Sequence, residues 1–177
     1  YIVTLRVTNS LGKTATHRRT YRVLASRPAE ALWLPLNGSI NEGGLRNHTV
    51  AWSGTGTFDA SGKFGQGAQF GTTGAKGLIV DQRDDLDGMA ALTISVWAKK
   101  RTALATGRLV GKFTSYDLRL TDNGVIYATV TPEGATTPIT TSVTVPGLAT
   151  EVNVWRHYAL TYDGAELRVY LDGNLLP

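Results

Sequence analysis

The chain has 177 residues, a formal net charge of +4, 20 glycines, one methionine and no cysteine. Lacking cysteine, it can form neither a disulfide nor a zinc-thiolate site, and no stretch nears the roughly 20 uninterrupted apolar residues of a membrane-spanning helix. Lys and Arg cluster only at Arg18-Arg19 and Lys99-Lys100-Arg101. That scatter suits solvated strand faces better than a nucleic-acid stripe, so neither a nucleic-acid partner nor membrane insertion is expected.

Residues 1–8 alternate, with Tyr1, Val3, Leu5 and Val7 against Thr4, Arg6 and Thr8, the pattern of a half-buried strand. The turn Asn9-Ser10-Leu11-Gly12 leads into a second strand over 14–24, basic on its outward side at His17, Arg18 and Arg19. Together they predict a hairpin. The string from Tyr1 to Gly12 resembles the last hairpin of a polycystic-kidney-disease-type (PKD) immunoglobulin-like domain, of whose seven strands about two are here. A lone hairpin is marginal in water, so residues 1–24 are expected to dock on another domain, a partner chain or sequence outside the one given. Residues 25–30, centred on Pro28, read as a linker, because proline supplies no backbone donor and stops strand pairing.

From residue 31 short strands alternate with turns at intervals of about 8 to 15 residues, the rhythm of an antiparallel sandwich or jelly roll. Strands are predicted at 31–36, 68–71, 77–80, 91–100, 116–120, 125–131, 153–162 and 166–171. A short helical piece is predicted near 84–89. Within 91–100, Leu92, Ile94, Val96 and Ala98 share one face, opposite Thr93, Ser95, Trp97 and Lys99. Asp122-Asn123-Gly124 tolerates the positive φ of a tight hairpin. The chain opens without methionine inside a strand pattern and ends just after a turn, so both ends are expected to be cut from a longer protein.

Four segments resemble the laminin-G-like family with its concanavalin A-type jelly roll. Ser61-Gly62-Lys63-Phe64-Gly65-Gln66-Gly67-Ala68-Gln69-Phe70 is similar to its glycine-rich approach to an early core strand. Residues 92–99 are similar to its tryptophan strand, and residues 116–130 to the next hairpin. Trp155-Arg156-His157-Tyr158-Ala159-Leu160-Thr161-Tyr162-Asp163-Gly164, running into Leu167-Arg168-Val169-Tyr170-Leu171-Asp172-Gly173, resembles its most recognisable stretch. The resemblance implies an all-β, two-sheet antiparallel sandwich over residues 31–177, lacking its last strands, behind the partial immunoglobulin-like hairpin.

Trp97 and Trp155 stand in core-type strand motifs, and Trp33 lies beside Leu32, Leu34 and Leu36, so all three are expected in the core. Trp52, in a less regular stretch, and Tyr116 and Tyr127, flanking a hairpin, are the candidate ligand-binding aromatics. Calcium is the one cofactor the sequence raises. The run Asp84, Asp85 and Asp87 clusters carboxylates but misses the alternate spacing of a regular calcium loop. By resemblance, Asn37 takes the place where relatives carry an acidic ligand. Asn37-Gly38-Ser39 and Asn47-His48-Thr49 fit the glycosylation acceptor pattern.

No catalytic residue is assigned. Glycoside hydrolysis on this fold needs two carboxylates about 5 to 9.5 Å apart across one cleft, and Asp117, Glu166 and Asp172 are isolated in sequence. His17, His48 and His157 have no ligand spacing and are expected on strand surfaces or in structural motifs. The expectation is a non-catalytic recognition or adhesion module of an extracellular, cell-surface or virion-surface protein, with a glycan or a surface protein as partner. The alternative is a decoration, fibre or filament component contacting other subunits of its own assembly, and a hydrolase stands third.

Overall fold

The computed structural model describes residues 2–8, 14–20, 30–71 and 76–177. The strands, in chain order, are β1 (Ile2–Thr8), β2 (Thr14–Thr20), β3 (Val50–Ser53), β4 (Gly56–Asp59), β5 (Gly67–Phe70), β6 (Gly77–Val80) and β7 (Leu92–Lys99). They continue with β8 (Gly107–Lys112), β9 (Tyr116–Leu120), β10 (Val125–Val130), β11 (Ile139–Thr144), β12 (Trp155–Tyr162), β13 (Leu167–Leu171) and β14 (Asn174–Leu175). The predicted helical piece is a single 3-10 turn, Asp84–Leu86. The expected hairpin is present as an antiparallel β1–β2 pair, from Ile2 opposite Thr20 to Thr8 opposite Thr14. Its turn at 9–12, the end of its second strand at 21–24 and the linker residues 25–29 lie outside the described residues.

Two four-stranded antiparallel sheets, ordered β11-β10-β9-β8 and β14-β13-β12-β7, form the sandwich. Strand β7 pairs with β12 rather than with β8, so the chain crosses between sheets twice, after β7 and after β11. On β7 the face the pattern groups, Leu92, Ile94, Val96 and Ala98, turns inward. Ile94 from β7, Tyr158, Leu160 and Tyr162 from β12, and Val169 from β13 meet Leu118 and Leu120 from β9 and Ile126, Ala128 and Val130 from β10. Each large aliphatic side chain buried here contributes about 1.5–3 kcal/mol. Gly124 holds φ at +79°, and a Cβ there would lie 2.8 Å from the Ala149 backbone nitrogen, so the β9–β10 turn accepts only glycine without strain.

The basic run 99–101 is spent on the architecture. The Lys100 ammonium caps the carbonyls of Leu148 and Ala149, Lys99 lies over the Trp155 ring, and Arg101 reaches the Phe70 carbonyl. With the Asn153 N–H donating to the Lys100 carbonyl at 2.8 Å, the two crossover segments are tied together.

Residues 31–36 do not form the expected strand. They run without a ladder partner, and Leu36 takes φ +51°. Trp33 is half-buried there, its carbonyl accepting the Gly43 N–H at 2.9 Å and Gly43 lying against its ring. His48, expected at a surface or in a motif, is instead buried at 5% exposure. Its Nε2 donates to the Ala31 carbonyl at 3.1 Å, its Nδ1 lies 2.8 Å from Asp81 Oδ1, and its backbone N–H donates to Glu42 Oε2 at 2.7 Å. A segment with no ladder needs side-chain anchors, and this imidazole is one.

Candidate functional site

Directly opposed residues of an antiparallel pair share a face. The register sets Trp155 opposite Lys99, His157 opposite Trp97 and Ala159 opposite Ser95. Ala159 also opposes Tyr170, which opposes Leu175. The outer face of the β14-β13-β12-β7 sheet therefore carries Trp155, Trp97, His157 and Tyr170.

Trp97 is 37% exposed and Phe64, on the loop before β5, is 71% exposed. Phe64 meets Trp97 edge to face, with centroids 5.9 Å apart at 89°. The Lys63 ammonium lies 4.2 Å above the indole. On the other flank His157 packs 5.2 Å from Trp97 and shares a 2.7 Å hydrogen bond with Ser95 Oγ. The His157 backbone N–H donates to Asp172 Oδ1 at 2.9 Å, fixing the strand that carries the ring. Trp155 closes the end of this face. Its Nε1 donates to the Ser61 carbonyl at 3.1 Å, and Ser61 in turn donates to Asp59 Oδ1 through both its N–H and its hydroxyl at 2.8 Å. Those two bonds, with Lys99 and Arg101 nearby, hold the Asp59 carboxyl below its ordinary range.

The core positions expected for Trp97 and Trp155 are thus overturned: both lie on the outer face. The sequence held the signal, because alternation already grouped Trp97 with Thr93, Ser95 and Lys99 rather than with Ile94. Phe64 went unnoticed because a loop residue has no periodicity to mark it.

The other candidate residues are dispersed. Trp52 is packed edge-on by Phe58 and Phe70, with centroids 5.8 and 5.7 Å away, and Gly56 lies against its ring. Tyr116 faces inward, where burial raises its phenol above the ordinary value, helped by Asp87 and Asp85. Tyr127 faces outward with the Arg119 guanidinium 4.2 Å over its ring, so the two tyrosines lie on opposite faces of one sheet. Asn37 Oδ1 accepts the Gln66 N–H at 2.8 Å. Asp87 takes Lys112 at 2.6 Å and Ser115 at 2.8 Å, and Asp85 lies 3.5 Å from His48 Nε2. Asp84 accepts the Asp87 N–H through its backbone. Among the described residues no group of three or more His, Asp or Glu side chains is placed to hold a metal ion. Asp117 lies on β9 against Arg108, whereas Glu166 lies in the turn before β13 of the other sheet against Arg168.

Two antiparallel four-stranded sheets enclosing one apolar core, with the chain crossing between them, define a jelly-roll sandwich of the concanavalin A type. The chain belongs to the family described as the concanavalin A-like lectin/glucanases superfamily, of laminin G type, whose model matches residues 70–176. Among solved structures it is similar to the binding domain of botulinum neurotoxin DC in complex with rat synaptotagmin II, at a TM-score of 0.61 and 16% identity, over 82% of this chain and 38% of that one. The same binding domain in complex with SialylT aligns at 0.55 and 19% identity, over 78% and 36%. The structure titled HCR/D-Sa-GBL1/C aligns at 0.58 and 15%, over 82% and 37%. At these identities the likeness concerns the fold, and the chain spans under two-fifths of each of those longer chains. No curated protein matches the sequence.

Proposed function

We propose that this chain is a non-catalytic recognition module of a larger extracellular protein and binds a glycan through the face built by Trp97, Phe64 and His157. One observation carries the reading: two large aromatic rings stand edge to face on an open sheet surface, rimmed by Lys63, Ser95 and His157. Exposed apolar surface inside a polar rim marks a binding patch. Aromatic rings pack on the C–H faces of sugars, while the ammonium, hydroxyl and imidazole provide polar partners for sugar hydroxyls. The neurotoxin domains similar in fold are described as bound to a protein and to SialylT, which agrees with this reading. The separation of Asp117 from Glu166, the two carboxylates the sequence offered for hydrolysis, supports the non-catalytic reading. In this reading residues 1–24 are the closing hairpin of a PKD-type domain, 25–30 a linker, and 31–177 the laminin-G-like module.

The test is a glycan array probed with the native chain, Trp97→Ala and Phe64→Ala, with and without chelator. Binding by the native chain, unchanged by chelator and lost by about tenfold or more in both variants, is the expected result. A native chain silent across the array, or variants binding as well as the parent, overturns the proposal.

A further inference from the structure

The opposite side of the sandwich carries a second construction, independent of the Trp97 face. Along β8 the pairing steps from Arg108 opposite Arg119 to Val110 opposite Leu118, leaving Leu109 as an extra residue. Without this bulge, alternation would set Arg108 on the inward side with Val110. With it, Leu109 and Val110 both pack on the core and Arg108 swings outward beside Arg119, the re-aiming of a side chain that bulges produce.

Gly111 completes the arrangement. A Cβ at that position would lie 2.6 Å from Arg108 Cδ and 2.9 Å from both Arg108 Nε and Asp117 Oδ1, so the arginine crosses the strand through the space a side chain would fill. Its Nε donates to Asp117 Oδ1 at 2.7 Å, and Arg119 Nε lies 3.5 Å from Asp117 Oδ2. The Asp117 side chain is 16% exposed, whereas those of Arg108 and Arg119 are 55% and 41% exposed. Two guanidiniums thus share one sheltered carboxylate and leave a net positive charge. Both guanidiniums approach Asp117 through Nε, Arg108 in a hydrogen bond and Arg119 in a looser ion pair. Next to them Arg119 stacks on Tyr127. Thr129 and Thr140 approach each other at 3.3 Å, with Ser142 opposite Tyr127 in the ladder.

We infer that this outer face of β8–β11 is an anion site for a carboxylate-bearing oligosaccharide, its carboxylate held by the Nη edges of Arg108 and Arg119 and its hydroxyls by Tyr127, Thr129, Thr140 and Ser142. The planar guanidinium fork matches carboxylate geometry, and a carboxylate beneath it holds the fork in place before the ligand arrives. The row of hydroxyls around an aromatic ring favours a sugar acid over a simple anion.

Binding of oligogalacturonate is measured by calorimetry at about physiological salt, against its methyl ester and against dextran sulfate. The variants are Arg108→Gln, Arg119→Gln, Arg108→Lys and Gly111→Ala, with Arg168→Gln on β13 of the other sheet as a remote change of equal charge and thermal melting to verify folding. The expected result is binding of oligogalacturonate with no binding of the ester. Each arginine variant should weaken it about tenfold or more, and Gly111→Ala should also weaken it although no charge is lost. Arg168→Gln should bind as the parent does, because it lies on the other sheet and belongs to neither proposed site. Failure to bind oligogalacturonate, equal binding of the ester, tighter binding of dextran sulfate, or an equal loss in Arg168→Gln each overturns the inference. Since Trp97→Ala leaves this site intact, its effect on the array tests the first face separately.

Discussion

Replacing Arg156 with alanine probes how the family-like stretch 155–173 is held together. Arg156 Nε and Nη2 donate to the two oxygens of Glu151 at 3.0 and 2.6 Å, and Nη1 donates to Asp172 Oδ2 at 2.6 Å. The guanidinium therefore ties β12 both to the crossover before it and to the turn after β13. Bonds of this charged kind are worth about 1.5–3 kcal/mol each when sheltered. The side chains here are 35% (Arg156), 22% (Glu151) and 31% (Asp172) exposed, so solvent screening reduces the net loss to about 2 kcal/mol. For a chain of this size that is a fall in Tm of about 4–8 °C.

The sign of the pH dependence follows from the two carboxyls. The Arg156 hydrogen bonds hold Glu151 below its ordinary value. At Asp172 burial pushes upward, but the His157 N–H and Arg156 outweigh it, and the net direction is again down. Groups whose folded values are depressed stabilise the fold fully above the ordinary carboxylate range, about pH 4, and lose that contribution as the pH falls through the lowered values. The gap in Tm between parent and Arg156→Ala should thus be widest at pH 7 and should close toward pH 3. Calorimetric melts at pH 3, 4, 5 and 7 measure it. A gap below about 0.5 kcal/mol at pH 7, or one independent of pH, would refute the reasoning.

Two further outcomes follow from the core. Leu160→Ala, at a fully buried position between the two sheets, should cost about 2–5 kcal/mol in denaturant titration, and less than about 1 kcal/mol would mean the sheets do not close on it. Tyr158 is buried, and burial, aided by Glu151, pushes its phenol up to about 12. A raised folded value stabilises below the unfolded value of about 10 and is lost as pH rises through the folded one, so the parent should lose stability between about pH 10 and 12 while Tyr158→Phe shows a flatter profile in that window.

The larger strands were legible because each sheet has one wet and one dry face, which writes alternation directly into β7, β9, β10, β12 and β13. Strand β8 was not legible, since Gly107 and Gly111 carry no pattern and the bulge at Leu109 breaks the period. Strand β11 hid behind its threonines, and β3 and β4 are four residues each. The candidate site divides along the same line. Tyr127 could be proposed from its place beside a hairpin, whereas Phe64 and Arg108 could not.

Composition and periodicity were sufficient for an all-β, cysteine-free sandwich and for the inward-facing residues of β7 and β9, because burial of alternate side chains is a local property of each strand. The outer-face position of Trp97, its contact with a loop phenylalanine 33 residues earlier, the burial of His48 and the convergence of Arg108 and Arg119 on Asp117 are different in kind. They depend on which strands pair, in what register, and where one residue is inserted. These quantities arise only when distant segments pack against each other.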